Sequence, residues 1–389
     1  MKSGDATYIP ALTGVRFLAG FFVFLFHYKP LKSSDNPIVQ QVVGVFNEMY
    51  TGVGLFFVLS GFLICYIYYQ GASLKKDFLK NYFLRRFARI YPIFFLLTTA
   101  YFIYTAMYHG RADLKFLGIY FTNITLIKGF SQTLMFTGIF QTWSLTVEET
   151  FYFLAPLMFI LHRKYGKLWW QVPVLISFGL LCVLIFSIIP LYGFFQDTYF
   201  LFMATFFGRC LEFFMGIQLA LIVLRSGREK RASTAKFPVI TALGISLLLL
   251  CLYGMSSIRA YFNLNYSVEH PLGLIVNNLV FPFTVAMFFY GLIYERSWVQ
   301  RFFASKPVEL LGKSSYAFYL IHAGFIAGFV FKLTNSNLYT FLLLEVLAIS
   351  IFLLIERPLY RWITKAAECP PSPATGYYKE VLADKPQTS

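Results

Sequence analysis

Residues 52–70 have the sequence GVGLFFVLSGFLICYIYYQ, and this stretch decides the fold of the chain. It contains no charged residue. A helix rises about 1.5 Å per residue, so a helix of this length nearly covers a hydrocarbon core of about 30 Å. We therefore predict a transmembrane helix over these residues.

Apolar runs of similar length recur along the whole chain. Ten spans are predicted, at residues 9–29, 52–70, 89–108, 143–161, 171–190, 199–223, 238–255, 274–294, 314–333 and 338–355. The run from Gly118 to Ile127 is too short to span, and we expect it to lie in the interface or to re-enter the membrane. The predicted fold is an all-α, polytopic integral membrane bundle of about ten transmembrane helices.

The composition agrees with a membrane protein and limits the partners. Of the 389 residues, 58% are hydrophobic and only 13% are charged, which excludes an ordinary soluble domain. The net charge of +15 comes from short basic blocks between apolar runs. That pattern is typical of loops that face anionic lipid headgroups, so we expect membrane lipids as partners and no nucleic acid. The five cysteines lack metal-ligand spacing, and we expect neither a metal site nor a disulfide framework.

The distribution of Lys and Arg predicts the topology. With the amino terminus inside, the inner segments hold 24 of the 33 Lys and Arg residues and the outer segments hold 7. Cytoplasmic loops carry such an excess, so both termini are predicted to be cytoplasmic, in a multi-pass protein of the cytoplasmic (inner) membrane. We expect the first span to be retained, because no cleavage site follows it. Residues 1–365 form the predicted transmembrane domain, and residues 366–389 form a polar tail predicted to be disordered.

Arg16 and His27 lie on the first span. Their spacing of eleven residues places them about 20° apart around the helix and about 16 Å apart along it. One polar stripe therefore marks both ends of a possible tunnel. Two other interpretations stay open: His27 as an interfacial histidine exposed to headgroups, and Arg16 as a structural ion pair or a snorkelling side chain.

A second candidate is Glu148 in the segment WSLTVEETFY at residues 143–152. Glu148 is predicted at the depth of His27, about 7 Å below the outer edge. A carboxylate beside an imidazole fixes its tautomer and stabilises its protonated form, as a general base requires. The alternative is that Glu148 and Glu149 only complement the helix dipole.

The segment Arg85-Arg86-Phe-Ala-Arg89 lies just before the third predicted span. Arg86 and Arg89 are one turn apart and are expected to face the cytoplasm. Guanidinium groups suit phosphate, so Arg85, Arg86 and Arg89 are candidate ligands for the phosphates of coenzyme A. The simpler interpretation is positive-inside anchoring.

Four further ionisable residues lie within predicted spans. Arg209 and Glu212, at i and i+3, are most simply an intrahelical ion pair. His322 is either a satisfied core histidine or a residue that touches substrate. Glu345 is isolated in the sequence.

Taken in order, these motifs resemble the membrane-bound acyltransferase family 3. They are Arg16 and His27; Ser60-Gly61-Phe62; Arg86-Phe-Ala-Arg89-Ile-Tyr-Pro92; Trp143-Ser-Leu-Thr-Val-Glu148; Arg209 with Glu212-Phe213 and Gly216; Gly312-Lys-Ser-Ser-Tyr316-Ala-Phe-Tyr-Leu-Ile-His322; and Glu356-Arg-Pro358. The resemblance covers roughly residues 8 to 360, and the ordered set is far more specific than any single motif.

The resemblance implies transfer of acetyl, or of another short acyl group, from cytoplasmic acyl-CoA to a hydroxyl of a carbohydrate, glycan or glycolipid. The donor is a substrate, and no permanently bound cofactor is implied. The family's histidine and arginine correspond to His27 and Arg16, and its cytoplasmic arginine pair corresponds to Arg86 and Arg89. Its acidic residue corresponds to Glu148.

Two departures from the family pattern bear on the mechanism. Family members often have an acidic residue where Gly54 stands, so any role for that carboxylate is missing. Some members carry an appended hydrolase-like domain that completes transfer outside. Since no such domain is visible in this sequence, we expect the chain to complete the reaction itself.

Two mechanistic hypotheses follow. In the first, acyl-CoA binds at the arginines, its thioester reaches past Arg16, and His27, oriented by Glu148, deprotonates the acceptor; a transient acyl-imidazole on His27 stays open. The rival is a transporter or flippase of a glycan or lipid intermediate. Missing repeat symmetry and missing Gly/Pro-broken helix pairs count against the rival. A receptor or assembly factor would need no intramembrane His–Glu pair.

Overall fold

The computed structural model describes residues 8–30, 36–110, 113–189, 191–226 and 238–366. Within these ranges the chain is helical and contains no strand, only an isolated bridge between Ser131 and Phe194. The predicted disordered tail lies outside the described residues, except for Ala366.

Seventeen α-helices are present in the described ranges. They are α1 (Pro10–His27), α2 (Pro37–Phe46), α3 (Gly52–Tyr68), α4 (Lys76–His109), α5 (Leu114–Ile124), α6 (Trp143–Tyr165), α7 (Gln171–Ile188), α8 (Thr198–Ala204), α9 (Phe206–Ser226), α10 (Val239–Tyr261), α11 (Pro271–Ile275), α12 (Phe281–Tyr294), α13 (Trp298–Phe303), α14 (Lys306–Ile321), α15 (Phe325–Thr334), α16 (Asn337–Ile351) and α17 (Arg357–Ala366). Short 3₁₀ segments cover Met49–Thr51, Ile127–Phe130, Phe140–Thr142 and Ser267–Glu269, and π-helical turns cover Val276–Val280 and Phe352–Glu356.

The described residues confirm the predicted fold class. In the described residues nine helical stretches are long and apolar enough to cross a membrane, or ten if the bent pair of α14 with α15 counts as one span. Helix α7 exposes large apolar side chains along its length, among them Val174, Phe178 and Leu181. Such a surface suits lipid rather than water. The predicted interfacial run at residues 118–127 corresponds to the short helix α5.

Two predicted spans need correction. The run at residues 314–333 is not one helix: α14 and α15 meet at 98°. The break follows His322, and Gly324 adopts a φ of 82°, which favours glycine. The third span begins earlier than predicted, because α4 is continuous from Lys76. Its arginines therefore lie within a helix and not in a loop.

Helix α1 packs closely beside α14, and the two run in the same direction. A Cβ added at Gly312 would lie 1.9 Å from the Thr13 carbonyl oxygen, so the backbones touch there. Further along, Arg16 donates to Ser315. At the far ends His27 lies beside His322. The polar residues of α1 therefore face α14.

A second close crossing joins α3 and α9 through small residues. A Cβ at Gly216 would lie 2.0 Å from the Val58 carbonyl oxygen, and one at Gly61 would lie 2.2 Å from the Phe213 carbonyl oxygen. Small residues permit such an approach between membrane helices. This crossing fixes α3, which carries Ser60, against α9, which carries Arg209.

Replacing Gly216 with Ala should destabilise the bundle, because the methyl group would force two backbones apart. We expect the free energy of unfolding to fall by about 1–3 kcal/mol, the usual cost of overpacking. It would appear as a lower midpoint temperature for retention of the monodisperse protein in detergent. Gly254→Ala on α10 is the matched control, since nothing lies within 4 Å of the added Cβ. Equal midpoints for the two variants would contradict the prediction.

Candidate active site

A cavity of about 290 Å³ opens at the carboxy-terminal end of α1. About half of its wall residues are aromatic, namely Phe26, Tyr50, Phe136, Phe140, Trp143, Tyr266 and Tyr319. Its polar wall residues include His27, Gln141, Arg209 and Asn277. Apolar walls with a few convergent polar groups are typical of small-molecule sites.

His27 is the last residue of α1 and is exposed at this cavity. Its ring centroid lies 5.4 Å from that of His322 and 5.4 Å from that of Phe140. The part of the chain that the structure describes offers its ring nitrogens no hydrogen bond. The imidazole is therefore available to a ligand in the cavity.

The loop before α6 forms one wall, and Lys128 anchors it. The Lys128 amino group is buried and donates to the carbonyl oxygens of Thr137 at 2.6 Å and Ile139 at 2.9 Å. The next residues are then fixed, since Gln141 donates to the Leu320 carbonyl oxygen at 2.9 Å. Burial lowers the pKa of Lys128 to about 7.

This buried lysine predicts a pH-dependent stability. Between pH 7 and pH 10.5 the folded protein would hold Lys128 neutral, whereas the unfolded chain would bind the proton. The free energy of unfolding from this group should therefore rise with pH, by up to about 1.4 kcal/mol per unit. Lys128→Met should remove that part of the dependence, measured as the difference in unfolding midpoints between pH 7 and pH 9. An identical pH dependence in the variant would contradict the prediction.

The predicted ion pair between Arg209 and Glu212 is confirmed. The guanidinium binds the carboxylate through two bonds, of 2.6 and 2.9 Å. It also lies 4.9 Å above the Phe57 ring and 5.8 Å above the Trp143 ring. A Cβ at Gly54 would lie 2.9 Å from Glu212, so the absence of a side chain there leaves room for this carboxylate.

Glu148 lies away from His27. Its Oε1 atom accepts hydrogen bonds from the hydroxyls of Ser60 and Tyr152. Matched depth predicts only the height of a residue in the bundle, whereas the direction of a side chain depends on how its helix is turned. The row from Glu148 to Tyr152 faces α3, so no contact between Glu148 and His27 forms among the described residues.

Tyr152 also connects Glu148 to the first candidate arginine. The Arg86 guanidinium lies 5.8 Å from the Tyr152 ring centroid and 5.5 Å from the Tyr68 ring centroid. It donates to the Tyr68 hydroxyl at 3.3 Å. Arg86 also interacts electrostatically with Glu149. Arg86 is thus stacked on two aromatic rings of the bundle.

Two other candidate arginines, Arg16 and Arg89, lie near an acidic residue, Glu356, to which no role was assigned from the sequence. Arg16 and Arg89 both interact electrostatically with Glu356. Arg16 Nε donates to Ser315 Oγ at 3.2 Å. Glu356 ends a π-helical turn, a geometry often found at functional sites. The Glu-Arg-Pro motif at residues 356–358 was the only indication of it in the sequence.

Arg85 is buried on α4. The predicted site residues thus fall into two groups. His27 lies at the cavity, whereas Arg16, Arg85, Arg86, Arg89 and Glu148 lie deeper in the bundle or toward the amino-terminal end of α1. Among the described residues, no cluster of three or more His, Cys, Asp or Glu could hold a metal ion.

A helical bundle with a histidine at an open cavity, and with arginines deeper among its helices, defines a polytopic membrane protein with a site built between its helices. The sequence model of the acyltransferase domain family matches residues 9–357. The chain therefore belongs to this family of membrane acyltransferases, as its motifs predicted.

Two relatives bear on the chemistry. The chain is 25% identical over 355 residues to the peptidoglycan O-acetyltransferase OatA of Listeria monocytogenes, a match that covers 85% of this chain and 52% of the relative. It is 28% identical over 177 residues to the acyltransferase MdmB of Streptomyces mycarofaciens, which covers 42% of each. The chain thus matches about half the length of these relatives. No solved structure gives a significant match.

Proposed function

We propose that this chain transfers a short acyl group, acetyl in the simplest case, from cytoplasmic acyl-CoA to a hydroxyl of a carbohydrate or glycan acceptor. The observation that carries the proposal is the position of His27: an imidazole without a hydrogen-bond partner among the described residues, on the wall of a cavity of about 290 Å³. Membership of the acyltransferase family supports the reaction class. The name of OatA supports O-acetylation of a glycan.

The donor would enter from the arginine end of the bundle. The excess of Lys and Arg on the predicted inner side would place the amino-terminal end of α1 at the cytoplasm. Arg85, Arg86 and Arg89 would then bind the phosphates of coenzyme A. Internal acids partly occupy these arginines, so phosphate would have to compete with Glu149 and Glu356.

Polar side chains continue from the arginines to the cavity. Arg86 contacts Tyr152, and Tyr152 donates to Glu148. Glu148 interacts electrostatically with Tyr319, which lines the cavity beside His27. The pantetheine arm would follow this path and pass Arg16.

The acceptor would occupy the aromatic cavity. The rings of Tyr50, Trp143 and Tyr266 offer apolar faces to the C–H faces of a sugar, and Gln141 and Asn277 offer amides to its hydroxyls. An aromatic body with a polar handle suits such an amphipathic ligand.

The chemistry assigned to His27 is general base catalysis. Its bare ring nitrogen takes the proton of the acceptor hydroxyl, and the oxygen attacks the thioester carbonyl carbon. The C–S bond then breaks, and the departing thiolate of coenzyme A takes the proton from the imidazolium. Attack by His27 itself, through an acyl-imidazole, would give the same products.

The test uses purified protein in liposomes with radiolabelled acetyl-CoA. We expect free thiol to appear only when an acceptor is present, and the acceptor to gain base-labile label. Peptidoglycan fragments, oligosaccharides and glycosylated small molecules are the acceptors to compare. Natively folded protein that neither binds nor turns over any short acyl-CoA, but moves a glycan across the bilayer, would overturn the proposal in favour of a transporter.

A further inference from the structure

His322 follows the last residue of α14, directly before the 98° break, and its side chain is fully buried. Its Nδ1 atom lies 2.7 Å from the Tyr319 carbonyl oxygen. A carbonyl oxygen only accepts, so Nδ1 must carry the proton in this bond. Nε2 is then the nitrogen with the free lone pair.

That lone pair has no partner. Nε2 of His322 is buried, and the described residues offer it no hydrogen bond. An unpaired buried acceptor costs about 1–3 kcal/mol, so a fixed histidine of this kind needs an explanation. Its other ring neighbours, Phe318 and Tyr319, present ring faces or edges within 6 Å.

His27 is close enough to donate a hydrogen bond to Nε2 of His322. The ring centroids of His27 and His322 are 5.4 Å apart, with an angle of 45° between the rings. A hydrogen bond needs a nitrogen–nitrogen distance of roughly 3 Å, which this separation permits when one nitrogen of each ring faces the other. His27 is exposed at the cavity, and its ring can turn to close that contact.

We propose that His322 is the positioning residue for His27. Its Nε2 atom accepts the N–H of His27 and so leaves the other nitrogen of His27 bare and directed at the cavity. His322 would thus supply the orientation that the sequence analysis assigned to Glu148, which is bonded elsewhere. The expected effects on turnover rest on the proposed function. The hydrogen bond between His27 and His322 does not depend on it.

The helix packing favours a fixed geometry for this pair. Helices α1 and α14 meet backbone to backbone at Thr13 and Gly312. Phe318 of α14 packs against Phe24, one turn before His27. A base that is oriented by a rigid neighbour is the general arrangement for a catalytic histidine.

The matched variants are His322→Asn and His322→Gln. Asn keeps a donor near the Nδ1 position for the Tyr319 carbonyl oxygen but loses the acceptor at Nε2, whereas the Gln oxygen reaches the Nε2 position. We expect Asn to lower kcat about 10²-fold, with little change in KM for donor or acceptor. Gln should recover activity to within about tenfold of wild type. In a His27→Ala background, His322→Asn should have no further effect on turnover.

A second readout does not depend on turnover. The chain has five histidines, so ¹⁵N spectra of the histidine-labelled protein can be assigned by single substitutions. We expect His322 in the Nδ1–H form and His27 in one fixed tautomer, which becomes averaged in His322→Asn. If the wild-type protein shows a fixed His27 tautomer but transfers no acyl group, the pairing of His27 with His322 would be supported and the proposed function would be wrong. An unchanged His27 spectrum in His322→Asn, or a loss confined to acceptor KM, would overturn the pairing itself.

Discussion

His27→Ala should lower acyl transfer by about 10²–10⁴-fold, the usual contribution of a general base. The loss should fall on kcat, because the alanine removes the group that takes the proton and leaves the arginines untouched. Donor binding should persist, measured as retention of labelled acetyl-CoA by the purified protein. Turnover would be followed as free thiol released in the presence of acceptor.

A histidine elsewhere gives the control for this variant. His270 lies outside the cavity wall, and its Nδ1 accepts from the Leu272 N–H at 3.2 Å. The side-chain oxygen of Asn can take the place of this Nδ1 atom. His270→Asn should therefore keep the hydrogen bond that caps the amino-terminal end of α11, and it should keep full activity. Normal turnover by well-folded His27→Ala would remove His27 from the chemistry. Label trapped on the wild-type protein without acceptor, but not on His27→Ala, would select the acyl-imidazole route.

The positions of the helices could be predicted from local properties of the sequence. Length and apolarity of a run decide whether it spans, and the ion pair of Arg209 with Glu212 is set by spacing within one helix. The break after His322 could not be predicted in this way. The residues on both sides of Gly324 are as apolar as those of a straight span, and only the backbone angle there records the turn.

The set of residues that lie together at the site was harder to predict from the sequence than the class of reaction. Sequence spacing gives the depth of His27 and of Glu148, but contact also needs the rotation of each helix about its axis. That rotation follows from close packing at glycines such as Gly312 and Gly216. It brings His322 to His27, and Ser60 to Glu148, whereas the contact of Glu148 with Tyr152 is set by their spacing within α6. His322 belonged to a quoted motif, yet nothing in the sequence chose between a core role and an active-site role.

Arg86→Gln should lower kcat/KM for acetyl-CoA by about 10–100-fold, mainly through KM. A bond to a charged group is worth about 1.5–3 kcal/mol, and a donor phosphate at Arg86 would lose that interaction. The stacked position between Tyr68 and Tyr152 keeps the guanidinium in a fixed orientation for such a bond. Lys80→Gln is the matched control, since it removes one positive charge from an exposed site on the same helix.

A donor without phosphates separates recognition from structural damage. S-acetylpantetheine carries the thioester and the pantetheine arm but none of the phosphates of coenzyme A. If Arg86 binds phosphate, wild type should prefer acetyl-CoA strongly, and Arg86→Gln should lose that preference while using S-acetylpantetheine as well as wild type does. If the variant instead loses both donors equally, Arg86 acts by neutralising Glu149 inside the bundle, and the phosphate site must be sought at Arg85 or Arg89.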